Sequence, residues 1–202
     1  MSAGKKSALL IILILVADQV VKIWVKTHMQ IGDEIHILGK RGMIHFIENN
    51  GMAFGMEMGG SPGKLILSVF RIMAIFGIAW FLNNLIVKKS NLGLILAVSA
   101  ILAGAIGNII DSAFYGMIFS ESYTHPAILF PPGGGYSTFL HGKVVDMFYF
   151  PLITTHWPAW SPFRPGEPFI FFRPVFNIAD AAITCGVISI LLFQKKMFRD
   201  LK

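Results

Sequence analysis

Four long apolar runs decide what this chain can fold into. A helix that crosses a bilayer needs about 20 mostly apolar residues. The stretches about 7–25, 65–87, 92–114 and 175–193 meet that length. Met147 to Ile153 is apolar but too short. Charged residues make up 14% of the 202 residues, against roughly a quarter in an average soluble domain, and 18 Phe accompany them. The expectation is a mainly α membrane protein, one membrane domain spanning residues 1–202, with four transmembrane helices.

Basic residues orient the spans. Lys5 and Lys6 precede the first, Lys88 and Lys89 lie between the second and third, and Lys195, Lys196, Arg199 and Lys202 follow the fourth. These places hold eight of the 17 Lys and Arg and one acid, Asp200. By the positive-inside rule both termini are cytoplasmic, and the segments about 27–64 and 115–173 lie on the outer face. Lys5-Lys6, an apolar run and Leu15-Val16-Ala17 also fit a cleaved signal peptide. Apolar residues resume at Val20, and the even span count needs this helix, so it is read as a span. The net charge of +6 forms no basic stripe among aromatics, so no nucleic-acid partner is expected. The lone Cys185 can form neither an internal disulfide nor a cysteine metal site.

The outer segments carry strand and turn signals. Glu34 to Leu38 and Met43 to Glu48 flank Gly39-Lys40-Arg41-Gly42, the pattern of a hairpin. Asn49-Asn50-Gly51 is a further turn signal, followed by the apolar strip Met52 to Met56. A small β-sheet on the outer face follows from these. Pro131 to Gly135 is a loop. Trp157, Trp160, Phe163, Phe169, Phe171 and Phe172 suit a membrane–water interface and its lipids.

Ionisable groups inside a span cost at least about 2.5 kcal/mol and persist where they meet a partner or a water-filled cavity. Here Asp18 and Lys22 share the outer half of span one, Asn108 and Asp111 the outer end of span three, and Asn177 and Asp180 the outer end of span four. Asp146 precedes the apolar Met147 to Phe150, near the same surface. Each has a plain reading: an i,i+4 ion pair for Asp18 and Lys22, interhelical hydrogen bonds for Asn108 and Asn177, a solvated end for Asp111, a loop carboxylate for Asp146. Their convergence at one depth argues for a site. His-Glu-x-x-His is absent from the sequence, and no serine–lysine pair is read within a span. His141 and Asp146 lack a further ligand at metal spacing, so no metal and no cofactor are expected. Two carboxylates held close cannot both ionise. One then takes a proton from water while the other gives one to a carbonyl.

These residues resemble the lipoprotein signal peptidase family, also called signal peptidase II. Asp18-Gln19-x-x-Lys22 is similar to its Asp-x-x-x-Lys motif, and Asn49-Asn50-Gly51-Met52-Ala53-Phe54-Gly55 to Asn-x-Gly-x-Ala-Phe. Gly107-Asn108-Ile109-Ile110-Asp111 is similar to Gly-Asn-x-x-Asp. Val144 to Phe148 and Phe176 to Asp180 resemble the segments holding its two catalytic aspartates. The resemblance implies an aspartic endopeptidase of the bacterial inner membrane with Asp146 and Asp180 as catalytic carboxylates. Its partner would be a diacylglyceryl-modified prolipoprotein, cut just before the lipidated cysteine. It implies supporting roles for Asp18, Lys22, Asn49, Gly51, Ala53, Phe54, Gly107, Asn108, Asp111 and Asn177, and the chain is expected to act as a monomer.

The chain departs from the family in places. Arg usually follows Gly-Asn-x-x-Asp, where this chain has Ser112. Lys143 and Arg173 are candidates to replace it. The stretches 115–142 and 151–173 exceed the family norm. Two other functions stay open on sequence: a transporter or proton channel, whose relays also use intramembrane acids, and a scaffold using the aromatic outer loops. Span two, nearly featureless apart from Arg71, and the apolar cytoplasmic half argue against the transporter.

Overall fold

The computed structural model describes residues 1–50, 60–162 and 164–199. Gly51, Ala53 and Phe54 lie outside the described residues. Four described helices are long and apolar enough to cross a membrane. They are α1 (Ala3–His28), α2 (Gly60–Val87), α3 (Leu92–Ile110) and the last helix of the chain. A π-helical turn (Asp111–Tyr115) and a single turn, α4 (Gly116–Ile118), prolong α3, and α5 is Ile178–Met197. The molecule is mainly helical, as expected, with a small sheet at one end.

Helix α3 is the axis of the bundle and packs against α1, α2 and α5. Small residues make the close approach possible, because apolar lipid supplies no hydrophobic drive between helices and contact must come from fit. A Cβ on Gly104 would stand 2.2 Å from the Ala179 carbonyl oxygen of α5, and one on Gly186 would stand 2.6 Å from that of Ala97. The Ser7 and Ser99 hydroxyls join α1 to α3 at 2.7 Å. Leu82, Leu85, Leu94, Ile95, Val98, Leu102 and Met197 fill the far half of the bundle. The lipid-facing residues of α1 and α2, such as Leu13, Val20, Phe70 and Phe76, are exposed and apolar.

The sheet lies at the other end. Its antiparallel strands run in the order β1 (Glu34–His36), β2 (Met43–Asn49), β3 (Val144–Tyr149) and β6 (Val175–Phe176). A separate ribbon pairs β4 (Ile153–His156) with β5 (Pro168–Phe171). The 34–48 hairpin forms at the expected place. Strand β1 stops at His36, because the Ile37 and Leu38 amides both donate to the Gly42 carbonyl and close the turn. Strands β2 and β3 pack on the end of α1 through Val25, Met29, Phe46, Val145 and Met147. Residues 175 and 176, read from sequence as the start of span four, pair instead with Tyr149 and Phe148, and the helix begins at Ile178.

The π turn has a structural cause. Widening the helix frees carbonyls from their usual i−4 partners, and the returning loop supplies new donors. Gly142 N donates to the Ser112 carbonyl at 2.8 Å, Leu140 N to Ala113 at 3.3 Å and Ser137 N to Gly116 at 2.7 Å. A Cβ on Gly142 would lie 2.2 Å from the Asp111 carbonyl oxygen, so only glycine fits there.

Candidate active site

Pairing of β3 with β6 brings the two ends of the site together. Asp146 sits on β3 opposite Ile47 of β2. Two residues further along, Phe148 pairs with Phe176, so the next residue, Asn177, emerges beside β3. Asn177 is the N-cap of α5 and Asp180 its third residue, and they form a capping box. The Asn177 Oδ1 accepts the Asp180 amide at 2.8 Å, and the Asn177 amide donates to Asp180 Oδ2 at 3.4 Å. Asn177 is therefore the cap of the last span, and not a residue within it as the apolar run 175–193 suggested.

The other end of the Asn177 side chain reaches Asp146. Its Nδ2 donates to Asp146 Oδ1 at 2.6 Å, and also lies 3.1 Å from Asn108 Oδ1 and 3.3 Å from the Val145 carbonyl. Asn49 Nδ2 donates to the second Asp146 oxygen at 3.2 Å. Asn108 Nδ2 donates to Asp180 Oδ1 at 2.8 Å. One buried asparagine thus touches both acids, and a second asparagine, on α3, is hydrogen-bonded to the first and to Asp180.

Lys22 orients that second asparagine. Its ammonium is fully buried and its three hydrogens find three acceptors: Asp111 Oδ2 at 2.8 Å, Asp18 Oδ2 at 2.9 Å and Asn108 Oδ1 at 3.0 Å. Because Lys22 can only donate, it fixes the oxygen of Asn108 toward itself and leaves the NH2 for Asp180. Asp18 does more than pair with Lys22. Its Oδ1 accepts the Ala179 amide at 2.9 Å, one of the donors at the start of α5 that no helical carbonyl can satisfy. Asp111 accepts the Val145 amide at 3.2 Å, tying α3 to β3. Gly107 lets Asp18 in: a Cβ there would lie 2.8 Å from Asp18 Oδ2.

Asp146 is 2% exposed, and burial pushes its carboxyl up to about 7, with the neighbouring Asp180 charge adding to the rise and the Asn49 and Asn177 hydrogen bonds opposing it. Asp180 is only partly buried. The geometry gathers Asp18, Lys22, Asn49, Gly107, Asn108, Asp111, Asp146, Asn177 and Asp180 at one end of the bundle.

Gln19, Lys26 and Glu48 join although the sequence reading gave them no role. Gln19 Nε2 donates to Asp111 Oδ1 at 3.0 Å and Asp18 Oδ2 at 3.2 Å, and its Oε1 accepts the Tyr115 hydroxyl at 3.2 Å. An amide beside an acid in an apolar run was the available signal. Behind β2, Lys26 pairs with Glu48 and donates to Ser122 at 3.0 Å. Lys143 lies 3.5 Å from Glu48 and donates to the Tyr123 hydroxyl at 2.9 Å. Burial works against the Lys143 charge, but Tyr123 and Glu48 overcome it and raise its pKa. Lys143 is thereby engaged with the 115–142 stretch and Glu48, and Arg173 is exposed. Ser112 turns its hydroxyl back to the Asn108 carbonyl at 3.1 Å.

Four membrane-spanning helices closed at one end by a sheet and a buried carboxylate cluster define a membrane protein with an enzyme-like site. A solved bacterial membrane enzyme, determined by the in meso method at 1.9 Å, matches it with a TM-score of 0.62 at 26% identity over 95% of this chain and 94% of that one. The Signal peptidase (SPase) II family profile matches residues 10–196, and the chain belongs to that family, and so to a family of peptidases. The lipoprotein signal peptidase of Porphyromonas gingivalis is 54% identical over 94% of this chain and 82% of its own length. That of Amoebophilus asiaticus is 37% identical over 91% and 75%, and that of Staphylococcus aureus 27% over 92% and 85%.

Proposed function

We propose that this chain is an aspartic endopeptidase that removes the signal peptide from diacylglyceryl-modified bacterial prolipoproteins, cutting just before the lipidated cysteine. Asp146 and Asp180 are its catalytic pair. The observation that carries this reading is Asn177, which donates to Asp146 Oδ1 at 2.6 Å and caps the Asp180 amide at 2.8 Å, holding the two acids to one site.

Asp146, with its carboxyl pushed up to about 7 by burial and then by the Asp180 charge, holds the proton of the resting pair near neutrality. Asp180 is the base. It takes a proton from a water between the carboxyls as the water oxygen bonds to the scissile carbonyl carbon, and Asp146 gives its proton to the carbonyl oxygen. Collapse of the tetrahedral diol breaks the C–N bond. The leaving nitrogen receives the proton held by Asp180, and the proton released as the carboxylic acid product forms returns to Asp146. Asn49, Asn108 and Asn177 keep the carboxylates in position. Asp18, Lys22 and Asp111 hold Asn108 and the start of α5.

The basic residues at the chain ends and the 88–89 turn support an inner-membrane protein with both termini cytoplasmic. The site then faces outward, where signal peptide cleavage sites emerge. Among the described residues the buried carboxylates gather at one end of the bundle while Leu94, Ile95, Val98 and Leu102 fill the other half, which argues against a transporter.

The test is cleavage of a diacylglyceryl-modified prolipopeptide by purified full-length protein in micelles. Asp146→Asn and Asp180→Asn should each lower kcat/KM by about 10²–10⁴-fold while the melting curve stays cooperative. Cleavage by the double amide variant at the wild-type rate would refute the aspartic mechanism.

A further inference from the structure

Behind β2 lies a second ionic cluster that the hydrolytic steps do not use. Glu48 pairs with Lys26 from α1, and its other oxygen lies 3.5 Å from Lys143 Nζ. Lys26 is fully buried, and the Glu48 side chain is 4% exposed. The Lys26 ammonium also donates to Ser122 at 3.0 Å and stands 5.0 Å from the centre of the Tyr136 ring. The 115–142 stretch closes over it. Ala127 N donates to the Lys26 carbonyl at 2.8 Å, and Lys143 N to the Tyr136 hydroxyl at 2.6 Å. A buried ion pair is weak evidence for stability, because desolvation offsets the attraction. Its best-attested use is to fix one register among several.

Register is what β2 needs fixed. Between Ile44 and Ile47 the strand advances three residues while β3 moves only two, from Phe148 to Asp146. The extra residue of such a bulge reverses the face that each later side chain takes. Beyond it Glu48 lies opposite Val145 and Asn49 opposite Val144. Successive side chains of a strand point to opposite faces. Glu48 therefore turns toward Lys26, and Asn49 toward Asp146, whose Oδ2 accepts its Nδ2 at 3.2 Å. Asn49 is the last residue of β2, and Asp146 is its diagonal neighbour across the pair. Diagonal neighbours stand about 7–8 Å apart along the backbone, so the contact depends on where the strand end is held. A slip of one residue would carry Asn49 to the wrong face.

We propose that Glu48 is a positioning residue for the reaction: clasped by Lys26 and Lys143, it fixes the end of β2 so that Asn49 holds Asp146. This deepens the aspartic reading above and rests on it. The Glu48 carboxylate reaches Lys26 and Lys143, and it acts on Asp146 only through Asn49. The long 115–142 stretch supplies part of the clasp through Ser122, Tyr136 and Tyr123, whose hydroxyl accepts from Lys143 Nζ at 2.9 Å.

The test is a double-mutant cycle on kcat, with full-length enzyme and diacylglyceryl-modified prolipopeptide in micelles. Asn49→Ala, which loses one hydrogen bond to Asp146, should lower kcat about tenfold. Glu48→Gln, measured below its melting temperature, should lower kcat by about three- to tenfold with KM within about twofold of wild type. In Asn49→Ala/Glu48→Gln the losses should not multiply: kcat should match that of Asn49→Ala alone, because a residue acting through Asn49 has nothing left to act on. Wild-type kcat in Asn49→Ala or in folded Glu48→Gln overturns the proposal, and so do losses that multiply. Should Glu48→Gln fail to fold with Lys26 buried and unpaired, the same cycle is run with Lys26→Met/Glu48→Met. That change replaces the ion pair by apolar side chains of similar volume and commonly keeps the fold. The same loss of kcat and the same lack of multiplication are expected, and wild-type kcat overturns the proposal equally. Cleavage surviving in Asp146→Asn/Asp180→Asn would instead overturn the aspartic reading, and the role of Glu48 with it.

Discussion

The two halves of the bundle are held by different physics. Around Leu94, Ile95 and Leu102 the helices meet through volume, with glycines at 104 and 186 admitting the facing backbone. Around Lys22 they meet through directional bonds, in which each group has its acceptors or donors assigned. A volume-filled region tolerates loss by partial collapse. A buried ionic region does not, because removing one partner strands the others in a low-dielectric surround. The difference teaches where stability and chemistry separate: the apolar half can lose energy without losing the site, whereas loss of the Lys22 cation should cost both.

Three changes would break or sharpen that contrast. The largest effect is expected from Lys22→Met, which leaves Asp18 and Asp111 buried without their cation. It should cost about 3–5 kcal/mol, read as thermal unfolding in micelles, and should also depress kcat by releasing Asn108 from Asp180. A Lys22→Met protein as stable as wild type would mean that the cluster contributes no net stability.

Leu94→Ala comes next. Leu94 is fully buried in the dry half, and its truncation should cost about 3 kcal/mol. Below the lowered melting temperature, kcat/KM should stay within about twofold of wild type, as expected of a change remote from the chemistry. A large loss of kcat at full folding would show that the two halves are coupled.

The smallest effect concerns pH. The Asp146 carboxyl is raised from 3.8 to about 7 by burial first and the Asp180 charge second. Between those values the folded protein holds a proton that the unfolded chain releases, so stability falls as pH rises through the window. Asp146→Asn removes that penalty. The variant should melt higher than wild type at pH 8, with the gain fading toward pH 4. A gain independent of pH would point to packing instead of charge.

Much of this architecture was legible one residue at a time. Twenty-residue apolar runs admit few structures other than membrane helices, and the hairpin between Glu34 and Glu48 is a local matter of turn chemistry. The pairing of Asp18 with Lys22 follows from helical spacing, and the ordered motifs pointed to the family. Harder to read were contacts across long stretches of chain. Nothing local says that Gln19 meets Asp111 or that Lys26 meets Glu48. Asn177 looked like a residue within a span because its neighbours are apolar. Only the pairing of Phe176 with Phe148 ends the strand in time to make it a cap.

The amino-acid order determined which segments enter lipid and which side chains are too costly to be there without a purpose, because transfer free energies belong to residues and need no partner. Which of those side chains meet was decided by tertiary structure alone. Hydrogen bonds and ion pairs act over about 3 Å, and only the packing of α3 against α1 and α5, with β3 joined to β6, brings positions 18, 108, 146 and 180 within that reach.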